Sequence, residues 1–435
     1  MAAVFFLLWM VLFVKTTSLI GIRGLGAPPP PGPPPPPSPI EKEKRGIGGD
    51  EVLHIFFPSS PDYGRRGTKG DEGSPPKTEV SFPRKAPAPI IPLILKETPM
   101  PKPKVTFGLQ TGQQEATWPQ IRDTWLESEA LGFQHLWVYD HFLPTGTRII
   151  DGPAPDGWTL LTALSQVIKK PRLGTLVTCM TFRHPVALTK IATTLDHVSD
   201  GRAILAVGAG WHEPEHTAYG IPLPPPRERV ERFAEGVHII KSLWTRERTT
   251  FDGKYYQIKD APFEPKPVQD PHPTIVIGGG GEKRTMAVAA RYADEWNWNL
   301  NGTTKDYAHK LEVLREHCKR IGRDFNEIAL SLNVDFLVSD DDRRIENALK
   351  VHARSNNQTL QQARDATITG DPEEVIGKLQ AYIDLGVRSF IFSLRAPYEA
   401  KDKKRLTDLD QRGLRYHTTM DDVRRLVKDV LPALR

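Results

Sequence analysis

Two titratable residues, Asp140 and His141, directly follow the apolar run 136–139, which predicts a buried strand. A histidine has an ordinary pKa of about 6.5, so its imidazole can take up or release a proton near neutral pH. Side chains alternate along a strand, so only one of the two residues is expected to face a site unless the chain turns. His141 is therefore the leading catalytic candidate and Asp140 the second. A histidine that only caps the next turn is the structural alternative.

A second candidate site is a run of four glycines that follows the apolar run 274–277. The run consists of Gly278, Gly279, Gly280 and Gly281. Glycines let backbone amides approach an anion closely, and a helix predicted at 284–292 would point its positive N-terminal end at the same place. The dinucleotide motif G-x-G-x-x-G fails at Lys283, and no Gly-Lys-Ser/Thr of a Walker loop follows. The run therefore predicts a phosphate-binding loop, with a merely flexible turn as the alternative.

A third cluster lies in the segment GAGWHEPE at 208–215. It offers one stacking ring and three ionisable groups, namely Trp211, His212, Glu213 and Glu215. No metal site is expected, because the segment lacks the H-E-x-x-H spacing and Pro214 is expected to interrupt any helix. The segment is instead predicted to shape the substrate side of a site.

The elements that position these residues form a regular pattern after residue 104. Eight short apolar runs predict strands at 105–110, 135–140, 173–181, 203–211, 274–279, 295–300, 328–338 and 389–394. Helical segments are predicted at 118–131, 160–168, 186–198, 228–243, 284–292, 307–321 and 372–385, with a small hairpin turning at Asp252 and Gly253. This alternation predicts a (β/α)8 TIM barrel, in which the carboxyl ends of the strands form the active-site mouth. All three candidate clusters follow such ends.

The first 103 residues differ from the rest. They contain 21 of the 40 prolines, with the run PPPPGPPPPPSP at 28–39, which predicts a disordered proline-rich extension of 1–103 ahead of a barrel domain at 104–435. The apolar start is shorter than the ~20 residues of a membrane span. A signal peptide or anchor at 1–27 is one interpretation, and an extension upstream of a true start at Met100 is the other.

Composition excludes several classes of protein. The 58 Lys and Arg barely exceed the 53 Asp and Glu, and no basic and aromatic cluster indicates a nucleic-acid partner. The two cysteines, Cys179 and Cys318, are too few for a disulfide scaffold and lack metal-ligand spacing. Cys179 is interpreted as a small buried filler. Cys318 lies among Arg315, His317 and Lys319, which could lower its pKa, and it is given no role because it is far from the strand ends. A reducing compartment is permitted, so a cytoplasmic location is expected.

Several long segments together carry a family resemblance. They include FGLQTG, LGFQHLWVYDHF, RLGTLVTCMTFRHPVALTKIATTLDHVSDGRAILAVGAGWHEPEHTAYGI, PTIVIGGGGEKRTMAVAARYADEWN and GDPEEVIGKLQAYIDLGVRSFIFSL, in this order. Over about 105–395 the chain resembles the luciferase-like monooxygenase family, and most of all the branch that uses the deazaflavin coenzyme F420. The resemblance implies a barrel that holds a flavin or deazaflavin at its carboxyl-end mouth.

The resemblance also assigns roles to particular positions. Asp140 and His141 match the family's Asp-His pair, in which the histidine handles a proton beside the reactive ring. The ring-backing segment is matched by Leu176, Val177 and Thr178, where deazaflavin members often have a non-prolyl cis peptide. The four glycines match the cofactor-phosphate loop. Trp211 and Glu215 fall where members contact cofactor or substrate.

The implied activity is hydride transfer between coenzyme F420 and a small organic substrate. Some sugar-phosphate-oxidising members have a Trp shortly after the Asp-His pair, whereas this chain has Leu-Pro-Thr at 143–145, which argues against a sugar phosphate. The alternative is an FMN-dependent monooxygenase that uses oxygen and a separate flavin reductase. A barrel that only binds a partner is the alternative from another class. Family resemblance implies a homodimer.

Overall fold

The computed structural model describes residues 104–114, 116–145, 152–300, 302–394 and 418–434. The predictions of a disordered extension and of a signal peptide or anchor lie outside these residues. Among the helices within the described ranges, none is both long and apolar enough to cross a membrane.

Parallel strands form the central sheet. In chain order the strands are β1 (Thr106–Thr111), β2 (His135–Val138), β3 (Arg172–Thr175), β4 (Thr178–Cys179), β5 (Ala203–Gly208), β6 (Arg248–Asp252), β7 (Gln257–Pro262), β8 (Thr274–Gly278), β9 (Glu295–Asn299), β10 (Ala329–Val338), β11 (Ile368–Gly370) and β12 (Ser389–Leu394). The sheet runs β10-β12-β1-β2-β3-β5-β8-β9 and closes because β9 also pairs with β10. This ring confirms the predicted (β/α)8 barrel.

The register shows how the ring closes and what lies outside it. Thr106 pairs with Ser389 between the first and last strands, and Ala329 pairs with Glu295 at the other closing seam. The short β11 adds to the outer end of β10, and β6 and β7 form the predicted antiparallel hairpin. Since all the barrel strands are parallel, their carboxyl ends meet at one mouth.

Helices alternate with the barrel strands, and the described residues contain the seven predicted helices together with four that were not predicted. They are α1 (Trp118–Ala130), α2 (Gly157–Val167), α3 (Pro185–Val198), α4 (Glu213–Tyr219), α5 (Pro226–Thr245), α6 (Thr285–Tyr292), α7 (Thr304–Ile321), α8 (Asp342–Asn356), α9 (Leu360–Asp365), α10 (Pro372–Asp384) and α11 (Met420–Asp429). Local signals fix their ends. In α7, for example, Thr303 and Asp306 form a capping box and Gly322 ends the helix in the left-handed conformation.

The barrel interior contains an apolar cluster, and small residues make room for large ones. A buried cluster consists of Trp137, Leu176, Ile204, Ala206, Val276 and Ile391. A Cβ atom on Gly174 would lie 2.9 Å from the ring of Trp137, and one on Gly108 would lie 1.9 Å from Nδ1 of His135. These two glycines therefore allow the rings of β2 to fill the interior.

The buried imidazole of His135 makes the stability of the barrel depend on pH. Nδ1 of His135 accepts a hydrogen bond from Trp137 Nε1 at 2.7 Å, and burial, followed by the charge of Arg172, lowers the pKa of His135 to about 3. The unfolded chain binds a proton near pH ~6.5, whereas the folded chain does so only near pH 3. The stabilisation that comes from keeping His135 neutral in the folded chain is fully present above the pKa of the unfolded chain. It is lost as the pH falls through the interval, at up to ~1.4 kcal/mol per pH unit.

We therefore expect the free energy of unfolding, measured in urea, to be lower at about pH 4.5 than at about pH 6. A His135→Gln variant should lack the part of this decrease that His135 causes. Comparing the two proteins removes the contributions of other titrating groups. Equal pH dependence in both would contradict the assignment.

Candidate active site

His141 and Glu215 form a close pair at the mouth of the barrel. Nδ1 of His141 lies 2.7 Å from Oε1 of Glu215, and the amide of Phe142 donates to Oε2 of the same carboxylate at 2.9 Å. The Glu215 side chain is fully buried, while 13% of the His141 side chain is exposed. The carboxylate therefore fixes the imidazole from its inner side.

The electrostatics of the pair determine which ring nitrogen is available. Burial alone would raise the pKa of Glu215, but the hydrogen bond and charge of His141 and the amide of Phe142 lower it below its ordinary value. An ionised Glu215 accepts the proton carried on Nδ1 of His141. Nε2 makes no hydrogen bond within the part of the chain that the structure describes, so this is the nitrogen that can accept or return a proton.

The side chain of Asp140 pairs with Arg183 and not with the His141–Glu215 pair. Its side chain is 1% exposed, and Oδ2 accepts from Arg183 Nη1 at 2.6 Å and from the amide of Cys179 at 3.3 Å. Arg183 also donates to Asp156 at 3.0 Å. Burial raises the pKa of Asp140 although the charge of Arg183 opposes this shift. These contacts connect the end of the second barrel strand to the third, which suits a positioning residue.

An Asp140→Asn variant tests this role. We expect the free energy of unfolding to fall by about 1–3 kcal/mol, because Arg183 loses a charged partner in a buried site. Turnover should fall far less than in a variant of His141. Urea unfolding and steady-state kinetics measure the two effects. Unchanged stability together with a large loss of turnover would instead support the catalytic prediction for Asp140.

The predicted ring-backing segment interrupts the third barrel strand. The prediction of one continuous strand at 173–181 is wrong, because β3 ends at Thr175, the Leu176–Val177 peptide bond is cis, and pairing resumes at Thr178. The carbonyl of Leu176 accepts from Gln110 Nε2 at 3.0 Å. A cis bond at this place agrees with what the family resemblance implies.

Val177 links this segment to two neighbouring strand ends. A Cβ atom on Gly208 or on Gly278 would lie 2.8 Å from a methyl group of Val177. Thr178 is buried and accepts from Trp158 Nε1 at 3.1 Å. The glycines at these strand ends therefore leave space for the Val177 side chain, which is partly exposed at the mouth.

The glycine loop is held by its carbonyl groups. Gly279 has a φ of +119°, and its carbonyl accepts from Trp296 Nε1 at 3.0 Å. The carbonyl of Gly280 accepts from Lys310 Nζ at 3.0 Å, and that of Gly281 from the Met286 amide at 3.0 Å.

The amides of the loop are arranged differently. The Gly279 amide donates to Asn297, whereas the amides of Gly280 and Gly281 have no hydrogen-bond partner in the described ranges. The N-terminus of α6 lies beside them. Fixed carbonyls with free amides next to a helix N-terminus are the arrangement that binds a phosphate.

The 208–215 segment brings more rings to His141. Trp211 is 63% exposed, and its ring centroid lies 5.8 Å from that of His141. The ring of His212 lies 5.6 Å from His141, and its Nδ1 lies 3.4 Å from Glu215 Oε1. The closeness of His212 to His141 was not predicted, because the two are far apart in sequence. Their shared position after barrel strands was the only available signal.

The prediction that Pro214 prevents a helix is wrong. The helix α4 begins at Glu213, and Pro214 lies in its first turn. The first backbone N–H groups of a helix have no partner within the helix, so a proline costs little there. Because of this helix, Glu215 reaches His141.

Both cysteines are buried, and neither contacts His141 or Glu215 through a hydrogen bond among the described residues. The thiol of Cys179 lies 2.8 Å from Thr181 Oγ1, and burial raises its pKa to about 11. Burial also raises the pKa of Cys318. These environments agree with the interpretation of Cys179 as a buried filler, whereas the idea that basic neighbours lower the pKa of Cys318 is wrong, because burial outweighs them.

Comparison with known proteins gives a consistent result. The sequence profile of the luciferase-like monooxygenase family matches residues 104–364. An F420-dependent glucose-6-phosphate dehydrogenase of Kineococcus radiotolerans is 29% identical over 66% of this chain and 90% of its own length.

Two solved structures share the fold. An F420-dependent secondary alcohol dehydrogenase in complex with an F420-acetone adduct has a TM-score of 0.63 at 20% identity, over 76% of this chain and 99% of its own. The monooxygenase RslO1 of Streptomyces bottropensis has a TM-score of 0.58 at 21% identity, over 75% and 99%.

Proposed function

We propose, from the premise that this chain belongs to the luciferase-like monooxygenase family of oxidoreductases, that it transfers a hydride between coenzyme F420 and a small organic substrate. The observation that carries the proposal is the contact between His141 and the buried Glu215 at the barrel mouth. It leaves one imidazole nitrogen free to move the proton that must accompany a hydride.

The residues present fit a cofactor of this kind. The free amides of Gly280 and Gly281 and the N-terminus of α6 would hold its phosphate, and Val177 would support its ring. When bound, a deazaflavin supplies a carbon centre that exchanges hydride and does not readily activate oxygen.

The chain's own residues would then manage the proton and the water. When an alcohol is oxidised, Nε2 of His141 takes the hydroxyl proton, and Glu215 stabilises the imidazolium that results. In the reverse direction the same nitrogen returns the proton. The ring of Trp211 lies beside His141 and would limit the access of water from that side.

F420 is proposed ahead of FMN because a relative at 29% identity is F420-dependent by name. That relative is by name a glucose-6-phosphate dehydrogenase. By the family resemblance, however, Leu143, Pro144 and Thr145 stand where some sugar-phosphate-oxidising members have a Trp. We therefore propose small alcohols, hemiacetals and activated alkenes as the substrates to search.

The test is a parallel calorimetric titration of the full chain with F420 and with FMN, each oxidised and reduced. Tight binding of F420 with little affinity for FMN is the expected result. A preference for reduced FMN, followed by oxygen consumption on adding substrate, would assign the monooxygenase activity instead. Binding of neither cofactor would leave only a binding barrel.

A homodimer is also part of the proposal, and family resemblance is its support. Light scattering of the purified chain should give twice the 48.8 kDa mass of the monomer. A mass of one chain would contradict it.

A further inference from the structure

We propose that His141, His212 and Glu215 form a three-ligand site for a transition-metal ion of the Zn²⁺ class. The site goes beyond hydride transfer and does not rest on the proposed function, because metal binding can be measured without F420. The three residues come from two mouth segments, the end of β2 and the first turns of α4.

The first observation is the convergence of ligand atoms. One ligand atom from each residue lies within 4.8 Å of the others. Glu215 Oε1 is 2.7 Å from His141 Nδ1 and 3.4 Å from His212 Nδ1. Ligands at about 2.1 Å from a tetrahedral ion are roughly 3.4 Å apart. The Glu215–His212 pair already has this spacing and the Glu215–His141 pair needs to open by less than an ångström, while the nitrogens of the two histidines lie within 4.8 Å of each other.

The second observation is an unsatisfied nitrogen. His212 is 9% exposed, and its Nδ1 has no hydrogen-bond partner among the described residues although it faces the carboxylate of Glu215. A buried polar atom without a partner is costly, and native structures usually satisfy it. A metal ion between His212 and Glu215 would supply the partner.

The donor set selects the kind of ion. Two imidazole nitrogens and one carboxylate suit Zn²⁺, Co²⁺ or Ni²⁺, whereas Mg²⁺ and Ca²⁺ prefer oxygen ligands. The amide of Phe142 fixes the second oxygen of Glu215 from behind, as outer-shell partners of metal ligands do. Three protein ligands leave a fourth position for water, which matches an open site.

A metal ion bound at this site would interfere with proton transfer by His141. The metal takes the Nδ1 lone pair of the neutral His141 tautomer whose ring proton lies on Nε2, so this proton moves from Nδ1 to Nε2 as the metal binds. Nε2 then carries the ring proton and has no lone pair with which to accept a proton from a substrate. We therefore expect saturating Zn²⁺ to inhibit turnover and a chelator to restore it.

The test is a Co²⁺ titration of untagged, chelator-treated full chain without cofactor. We expect one Co²⁺ per chain, with the intense visible absorption of a four-coordinate site, which Zn²⁺ removes and Mg²⁺ does not. A His212→Gln variant should bind at least ~10–100-fold more weakly. The control His309→Gln changes an imidazole on α7 that is 57% exposed, and should bind as the wild type does.

Circular dichroism and thermal unfolding show whether the His212→Gln variant is folded. If it is not, Glu215→Gln provides the second ligand variant. Absence of the visible band in the wild type, or an unchanged band in both ligand variants, would overturn the site. If turnover stayed unchanged when Zn²⁺ fully occupied the site, the predicted inhibition would be wrong.

Discussion

A His141→Gln variant is expected to lose ~10²–10⁴-fold in kcat while it binds F420 as tightly as the wild type. The reason is geometric. Nδ1 of His141 is engaged by Glu215, so the role of the residue depends on Nε2 at the open side of the ring. Glutamine keeps a hydrogen-bonding side chain of similar reach but cannot exchange a proton near neutral pH.

Kinetics with an identified substrate and a separate F420 titration measure the two quantities. The His309→Gln variant is the matched control, because it makes the same chemical change at an exposed side chain of α7. We expect Glu215→Gln to give an intermediate loss, since an amide still accepts the Nδ1 proton but supplies no charge. Equal turnover in the His141 variant and the wild type would reject the proton-transfer role.

A Gly279→Ala variant is expected to bind F420 about 5- to 100-fold more weakly. The φ of +119° at Gly279 is a conformation that an alanine adopts only with strain, and such strain costs about 1–3 kcal/mol. The free loop can relax away from it. Cofactor binding must then restore the conformation that exposes the amides of Gly280 and Gly281. The free energy of this strain makes the binding free energy less favourable.

Gly322→Ala is the control for this experiment. Gly322 also has a positive φ, +70°, and a Cβ atom there would meet nothing within 4 Å. It ends α7, so its substitution should lower the melting temperature and leave the cofactor affinity unchanged. If both variants bound F420 normally, the loop would not be the phosphate site.

The barrel could be predicted because its signals are local. Each strand is a short apolar run, and the helix ends carry capping residues or glycines, as at Gly132, where φ is +85°. The break at Leu176 and Val177 could not be predicted from pattern, since 173–181 contains no proline or charged residue that would mark an interruption. The helix at Glu213 differs from the prediction because Pro214 lies in its first turn, where a proline does not interrupt a helix.

The candidate site shows a different limit. Sequence identified His141 and Glu215 separately, but their contact joins residues that are 74 positions apart. The same holds for Gln110 and Asn333, whose side chains meet at 2.9 Å beneath Leu176 over a separation of 223. Spacing rules describe neighbours on one helix or strand, and they do not detect partners that a barrel brings together from separate strands.

The burial of Cys179 and Cys318 has a practical consequence for labelling. These are the two cysteines of the chain, and at a pKa of about 11 only about one Cys179 thiol in ten thousand is ionised at pH 7. Maleimides and spin labels react with accessible thiolates. A single cysteine introduced at an exposed position, such as Lys254 in the hairpin, should therefore take up a fluorophore selectively without prior removal of the native thiols.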